Sequence, residues 1–358
     1  MKIILLIIVL LIAVFILPLF YPAGITIYFR LFLLLLILIE SFKLFNLIFI
    51  KKKINNTISN LGTALFSIFL TIIILEILFM FVPKSHDYDV TLGSRLWYAK
   101  YWKPINSLGF RDNEPSNINP VILFVGDSFT EGHGLKSVDD RFSNIVGNEL
   151  HKKGKKYNVI NIGQNGMDSK GEYDLMRNFL YVTRIKPEKI ILQYCGNDIE
   201  VSALNNGLTH SGLSPSSLVD RFLISIAAGS YLFNYIYWSL PREYLSMPYT
   251  TFLSHAYKDD NILSKHKNDL RLFVNYAHEN SIQLIVVIFP FMNNIEMSDS
   301  MYVNYIVNYF QTNNVSTINV SQLVKDIPVS QRIINATDKH ASKTVNKIVA
   351  KEILNRLN

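Results

Sequence analysis

A serine directly follows a strand-like apolar run in the segment VILFVGDSFTEGHG, residues 121–134. Five apolar residues lead into Gly126, Asp127 and Ser128, after which the sequence becomes polar and rich in glycine. These residue types are common in turns and at helix N-caps, so an ordinary strand-to-helix turn explains the segment equally well. The alternative is a nucleophilic serine at the carboxyl end of a central strand, where open α/β sheets place their functional sites.

A nucleophilic serine requires a base, a group that orients the base, and hydrogen-bond donors for an oxyanion. Candidates for all three follow further strand-like runs. They are Gly166 in NIGQNGMDS, Asn197 in CGNDIE, and Asp338 with His340 in NATDKHAS. Because the carboxyl ends of parallel strands meet at one edge of a sheet, we expect these residues to lie close to Ser128.

Taken in order, these four blocks resemble those of the SGNH hydrolase superfamily, also called GDSL esterases and lipases. The resemblance covers residues 105–358 and includes NSLGFRD (106–112), which is similar to the lead-in of many envelope-anchored members. It implies a three-layer α/β/α, flavodoxin-like domain with a five-stranded parallel sheet. One departure is the block Asp-x-His followed by Ala341, where many members have Asp-x-x-His followed by proline.

The resemblance also implies a role for each motif residue. Ser128 attacks an ester carbonyl, and His340, oriented by Asp338, accepts and returns the proton. The oxyanion hole consists of the backbone N–H groups of Ser128 and Gly166 with the side-chain amide of Asn197. Asp127 is expected to support the turn, and no cofactor is expected.

The rest of the chain predicts the elements that must position these residues. Short β-branched runs predict strands at 121–126, 158–163, 189–196, 283–290 and 315–320. Helical patterns lie between and after them, at 138–152, 170–183, 262–279, 296–312 and 342–357. This alternation predicts a mostly parallel sheet covered by helices on both faces.

Residues 199–260 interrupt this alternation as an insertion that directly follows the Asn197 block. Its core, SYLFNYIYWSLPREYLSMPYTTF, is rich in aromatic residues. Three uses stay open: a packed subdomain, a lid over the substrate cleft, or an aromatic surface resting on a bilayer. In the lid interpretation, Tyr237 and Trp238 are substrate-binding residues.

Three long apolar runs at 3–20, 25–50 and 61–82 predict an anchor of three transmembrane helices in residues 1–83. The positive-inside rule, applied to the lysines at 51–53, places the amino terminus in the cytoplasm. We therefore expect an integral protein of a prokaryotic inner membrane, with a linker at 84–120 and an extracytoplasmic hydrolase domain at 121–358. Within the anchor, Arg30 and Glu76 are candidates for an ion pair between helices.

Other residues that could do chemistry have simpler explanations. The eight histidines show no metal-ligand spacing, so no metal is expected, and His133 is interpreted as a loop residue. The single cysteine, Cys195, excludes an internal disulfide and is expected in the core. The net charge of +7 comes from scattered basic residues, which argues against a nucleic-acid partner.

The sequence thus predicts a membrane-anchored serine esterase that acts on small acyl groups, above all acetyl, of glycans or lipids in the cell envelope. The same motif residues serve an O-acyltransferase that passes the acyl group to a sugar hydroxyl, so that alternative stays open. A catalytically silent scaffold is the third hypothesis. The intact Ser128, Asp338 and His340 argue against it.

Overall fold

The structure is a computed structural model, and it describes residues 56–86, 89–209, 218–240 and 249–357. It also describes a few positions near the amino terminus, namely 7–9, 12, 33, 36–41, 43 and 44. The chain divides into two compact units. The first comprises Met1–Lys84, Val90–Trp97 and Pro215–Leu240. The second comprises Ser85–Asp89, Tyr98–Ser214 and Pro241–Asn358.

A five-stranded parallel sheet forms the centre of the second unit. Its strands, in sheet order, are β4 (Asn158–Asn161), β3 (Val121–Val125), β5 (Pro187–Tyr194), β6 (Gln283–Ile288) and β7 (Ser316–Asn319). All four pairings are parallel. Because β3 lies between β4 and β5, the ends of these three strands are neighbours, and each is followed by one of the predicted motif blocks.

Helices cover both faces of this sheet, as the alternating pattern predicts. On one face, Phe142 and Val349 pack with Ile122, Phe124 and neighbouring apolar residues. On the other face, Met176 and Phe273 belong to a second apolar cluster. The covering helices are α4 (Phe142–Lys152), α5 (Ser169–Thr183), α10 (Asp260–Glu279), α12 (Asn304–Thr312) and α15 (Lys343–Leu357). The predicted three-layer α/β/α arrangement with five parallel strands is confirmed.

Shorter elements complete the chain. Two short strand pairs are β1 (Ser85–His86) with β2 (Asp89–Val90), and β8 (Ile333–Asn335) with β9 (Asp338–Ala341). The remaining helices are α1 (Asn56–Phe79), α2 (Leu92–Tyr101), α3 (Ser128–Glu131), α6 (Glu200–Leu204), α7 (Leu218–Ala227), α8 (Tyr231–Ser239), α9 (Tyr249–Lys258), α11 (Ile295–Ser298), α13 (Val320–Val324) and α14 (Val329–Arg332).

In the first unit, Glu76 of α1 meets the amino-terminal end of α8. Its carboxylate accepts hydrogen bonds from the Ser230 hydroxyl and from the backbone N–H of Tyr231, the latter at 2.8 Å. A carboxylate at this position satisfies one of the N–H groups that a helix start leaves unbonded and complements the helix dipole. The predicted partner of Glu76, Arg30, lies outside the described residues.

The predicted transmembrane anchor is wrong. Within the part of the chain that the structure describes, no helix has the length and apolar character needed to cross a membrane. The predicted spans at 3–20 and 25–50 lie almost wholly outside the described residues, and the run at 61–82 overlaps α1. In the described part of this region, α1 begins in the polar segment at Asn56 and ends at Phe79, so the helix does not coincide with the apolar run that the prediction used. The integral-membrane location derived from these spans is corrected with it.

A buried histidine ties α10 to the sheet in the second unit. The side chain of His266 is fully buried, and its Nε2 atom lies 2.8 Å from the Tyr194 hydroxyl at the end of β5. Burial disfavours the charged imidazolium and lowers the pKa of His266 to about 3. The unfolded chain takes up a proton on this residue near pH 6.5. The neutral, folded form therefore loses stability as the pH falls below about 6.5.

We expect the free energy of unfolding to drop by about 2 kcal/mol between pH 8 and pH 5 through His266 alone. His266→Gln, which cannot be protonated, should show a pH dependence smaller by that amount in urea unfolding curves. His278→Gln, an exposed substitution on the same helix, is the matched control and should keep the wild-type dependence. Equal pH dependence in all three proteins would contradict the assignment.

Candidate active site

The turn that carries Ser128 is held against the neighbouring strand by close packing. A Cβ atom on Gly126 would lie 2.4 Å from the Gln193 Oε1 atom of β5, so only glycine fits there. The same Gln193 oxygen accepts hydrogen bonds from the backbone N–H of Asp127 and from the Thr130 hydroxyl, both at 3.0 Å. The close approach of the end of β3 to Gln193 of β5 therefore explains the glycine of the GDS block.

Asp127 has a structural role, as the sequence suggests. Its buried carboxylate caps α3 by accepting the backbone N–H of Phe129 at 2.8 Å. The other carboxylate oxygen accepts the side-chain amide of Asn197 at 2.9 Å. Burial raises the pKa of Asp127, and these donated hydrogen bonds oppose that rise. One carboxylate thus joins the end of β3 to the end of β5.

Ser128, His340 and Asp338 form a continuous chain of contacts. The Ser128 Oγ atom lies 2.7 Å from His340 Nε2, and His340 Nδ1 lies 2.7 Å from Asp338 Oδ1. All three side chains are buried. Asp338 and His340 both lie on β9. Residues two apart in a strand point to the same face, so the Asp-x-His spacing lets the carboxylate reach the imidazole.

The Asp338 carboxylate stays ionised in this arrangement. Burial alone would raise its pKa, but the charge of His340 and its hydrogen bond outweigh burial and hold the pKa well below the usual range for aspartate. An ionised Asp338 accepts a hydrogen bond from His340 Nδ1 and leaves Nε2 directed at Ser128. This tautomer is the one that a general base at Ser128 requires.

The three candidate oxyanion donors differ in burial and in the hydrogen bonds that they already make. Ser128 begins α3, where the first N–H groups of a helix have no partners within the helix. Asn197 is partly buried and uses one of its two amide hydrogens on Asp127, so the second can serve another acceptor. Gly166 is exposed with φ of +77°, and no heavy atom lies within 4 Å of where its Cβ would be.

Two buried arginines support the site, and the sequence reasoning did not single them out. Arg111 donates to the carbonyl oxygens of Gly132 and Leu135 at 2.8 and 2.9 Å, and its guanidinium lies 3.4 Å from the centre of the Trp102 ring. It therefore fixes the loop that follows the Ser128 helix. Burial and the nearby Arg141 charge lower the pKa of Arg111 to about 10, so it remains a cation at neutral pH.

Arg141 extends the same network. Its guanidinium donates to the Arg111 carbonyl oxygen at 2.6 Å and to the Asp112 carboxylate at 3.2 Å. The other Asp112 oxygen accepts the backbone N–H of Asn161 on β4 at 2.7 Å. Arg111 and Asp112 are the last two residues of NSLGFRD, and their contacts explain why this segment accompanies the GDS block. The motif was visible in the sequence, but its partners were not.

The other residues considered in the sequence analysis lie in three different environments. His133 lies in the loop after α3, but it is buried and its ring centre is 4.5 Å from that of His340. Cys195 is a core residue whose thiol lies 3.8 Å from the Tyr302 hydroxyl, and burial raises its pKa well above the usual range. Tyr237 and Trp238 belong to the first unit and Ser128 to the second, so their role as substrate contacts stays a prediction.

The comparisons with known proteins bear on the fold only weakly. No family model matches the chain, and no curated protein matches it. One solved structure that the chain resembles is that of TesA, at 13% identity and a TM-score of 0.42. The aligned region covers 66% of this chain and 98% of the TesA chain. The acetyl xylan esterase AlAXEase shows 15% identity and a TM-score of 0.42, with coverages of 66% and 100%.

A member of the lipolytic protein G-D-S-L family from Veillonella parvula shows 14% identity and a TM-score of 0.39, with coverages of 66% and 96%. Similarities at this level carry no argument about activity, so the class rests on the chain's own residues. The parallel sheet, the motif blocks at the ends of its strands and the contact of Ser128 with His340 agree with the arrangement that the sequence resemblance implies.

The buried ion pair between Asp112 and Arg141 leads to a stability prediction. Asp112→Asn should lower the free energy of unfolding by about 3 kcal/mol, because it leaves the Arg141 cation buried without its counter-charge. Glu149→Gln, which removes the carboxylate of an exposed pair with Lys152, is the matched control and should change stability by less than about 1 kcal/mol. Similar effects of the two substitutions in denaturant unfolding would refute this role for the buried pair.

Proposed function

We propose that this protein hydrolyses carboxylic esters with Ser128 as nucleophile, His340 as general base and acid, and Asp338 as the orienting carboxylate. The observation that carries the proposal is the unbroken chain of 2.7 Å contacts from Ser128 Oγ through the His340 ring to Asp338. A nucleophile, its base and a group that orients the base within hydrogen-bond reach are the recognised signature of covalent catalysis by a hydroxyl.

The reaction would proceed in two halves. As Ser128 Oγ attacks the ester carbonyl carbon, its proton passes to His340 Nε2, and the resulting imidazolium is stabilised by the ionised Asp338. His340 then gives this proton to the leaving alcohol oxygen when the carbon–oxygen bond breaks, which leaves an acyl group on Ser128. Water attacks the acyl-enzyme with His340 again as base, releasing the acid and restoring the Ser128 hydroxyl.

The negative charge that develops on the carbonyl oxygen would be met by three donors: the backbone N–H groups of Ser128 and Gly166 and the second amide hydrogen of Asn197. The hydrogen bond from Asn197 to the buried Asp127 supports this role, because it fixes the direction of the amide before substrate arrives. Preorganised donors of this kind lose little energy to reorientation when the charge forms.

For the substrate we propose a small acyl ester, above all an acetyl ester, of a glycan or a lipid. A cavity of about 780 Å³, lined by Tyr98, Trp102, Lys103, Pro104 and Ile105, supports a place for the larger part of such a molecule. Tyr98, which lines the cavity, is near enough to the site for the charge of Asp338 to add to the rise in its pKa that burial causes. Aromatic rings of this kind pack well against sugar rings and acyl chains.

Ser128→Ala and His340→Ala should each lower kcat for p-nitrophenyl acetate by at least about 10⁴-fold, because nucleophile and base act as one unit. Asp338→Asn should retain a small residual rate. Ser300→Ala, which alters an exposed hydroxyl, is the matched control and should keep wild-type activity.

Labelling with a fluorophosphonate probe provides a second readout, since only proteins with an activated Ser128 should react. A kcat of Ser128→Ala within about tenfold of the wild-type value would exclude this mechanism, because loss of the nucleophile leaves only the small residual rate that the oxyanion donors and binding provide. An unlabelled wild type would favour the scaffold hypothesis.

The oxyanion proposal has its own test. Asn197→Ala should lower kcat by about 10²–10³-fold with little change in KM, because the lost hydrogen bond forms only as charge develops on the substrate. Asn205→Ala, an exposed position on the adjoining segment, is the control for general effects on folding. If Asn197→Ala kept a kcat within about threefold of the wild-type value, the amide would have no part in stabilising the oxyanion.

A further inference from the structure

His133 is a buried histidine that the proposed mechanism does not use. Its side chain is only 5% exposed, and its ring lies against the His340 ring at a centre-to-centre distance of 4.5 Å. The Nε2 atom of His133 lies 3.2 Å from the carbonyl oxygen of His86. This places a second imidazole beside the proposed catalytic base, inside the protein and not on its surface.

Asp338 has a second carboxylate oxygen that the His340 contact does not use. The Oδ1 atom bonds to His340, whereas Oδ2 is buried and makes no hydrogen bond within 3.5 Å among the residues that the structure describes. The Ser85 side chain lies close enough to help hold the pKa of Asp338 low, so Oδ2 has weak rather than full satisfaction. The same Oδ2 atom lies 3.9 Å from His133 Nε2. A buried anionic oxygen without full satisfaction is costly, so this atom is a site to which a positive charge or a donor is attracted.

We propose that His133, Asp338 and His340 form a binding site for a divalent transition-metal ion of the Zn²⁺ class, and that occupancy of this site inhibits the hydrolase. One ligand atom from each of the three residues lies within 4.8 Å of the others. In a tetrahedral site with zinc–ligand distances of about 2.1 Å, neighbouring ligand atoms lie about 3.4 Å apart. His133 Nε2 and Asp338 Oδ2, at 3.9 Å, are close to this separation, and the His340 nitrogen must move towards them for all three to bind one ion.

The donor set favours zinc over the hard cations. Two imidazoles and one carboxylate match the three-protein-ligand sets of known zinc sites, whereas Mg²⁺ and Ca²⁺ prefer oxygen ligands throughout. Imidazole ligands also suit Cu²⁺ and Ni²⁺. Binding requires a lone pair on each ligating nitrogen, so His133 must give up any proton on Nε2 and His340 must release one of its contacts.

Inhibition follows from either way in which His340 can bind the ion. If Nε2 ligates, it no longer accepts the Ser128 proton. If Nδ1 ligates, the hydrogen bond to Asp338 is lost and the imidazole loses the orientation that the base requires. The inhibitory half of the proposal rests on the proposed function, whereas the binding half rests only on the geometry of the three residues.

The binding half is tested in the Ser128→Ala protein, which keeps all three ligands and needs no activity. After treatment with EDTA and its removal, calorimetric titration with ZnCl₂ should show one site per chain. The double variant Ser128→Ala/His133→Gln should bind Zn²⁺ at least about 100-fold more weakly than Ser128→Ala alone. The reason is that glutamine retains an N–H donor but has no imidazole ligand. His278→Gln, at an exposed position, is the matched control and should bind Zn²⁺ as the parent does.

The inhibitory half is tested in proteins with Ser128 intact. Zn²⁺ should abolish ester hydrolysis by the wild type, EDTA should restore it, and His133→Gln should resist Zn²⁺ at concentrations that inhibit the wild type. Each rate is compared with that of the same protein without metal. Absence of Zn²⁺ binding, or equal binding by the His133→Gln variant, would overturn the site. Binding through His133 in a protein that hydrolyses no ester would instead overturn the proposed function and leave the site standing.

Discussion

The buried carboxylate of Asp127 is the constraint on which the proposed active site depends. A charge taken out of water must be met by donors, and Asp127 is met by the Phe129 N–H and the Asn197 amide. The first bond begins the helix that carries Ser128, and the second fixes the side chain proposed to receive the oxyanion. Satisfying one buried group therefore positions two functional groups that lie about seventy residues apart in the chain.

Buried charges are also matched by hydrogen-bond partners in the segments that surround the Ser128 turn. Arg111 and Arg141 are both buried, and each is stabilised by backbone carbonyl oxygens, with Asp112 adding a carboxylate. If the loop after the Ser128 helix moved away, it would leave buried charges without partners, which is costly. The network therefore favours a single conformation of this loop. Rigidity here matters for chemistry, since small displacements of a nucleophile cost large factors in rate.

Asp338 shows how a single carboxylate can serve two purposes. One oxygen orients His340, and that contact keeps the pKa of Asp338 low despite burial. The other oxygen lies 3.9 Å from His133 Nε2 and is the feature on which the proposed metal site depends. A charge arrangement that prepares a base for catalysis thus also creates a place where a cation can block it.

Local sequence patterns determined the layered fold and the identity of the central residues. Apolar runs that alternate with helical patterns predicted all five strands of the sheet to within two residues at each end, because a strand buried on both faces must be continuously apolar. The GDS, GND and DKH blocks marked Ser128, Asn197 and His340 through their resemblance to the SGNH blocks, although the DKH block lies within strand β9 and not in a turn.

Tertiary structure alone decided which partners these residues meet. The contacts of Asp127 with Asn197, of Arg111 with the loop after α3, and of His133 with Asp338 join positions distant in sequence, and no local pattern encodes such pairs. The apolar run at 61–82 misled the prediction for a related reason: hydropathy reports the preference of a segment for an apolar environment, not where the helix begins and ends, and α1 covers Asn56–Phe79. Close packing and charge satisfaction, which are properties of the folded chain, set the geometry of the site.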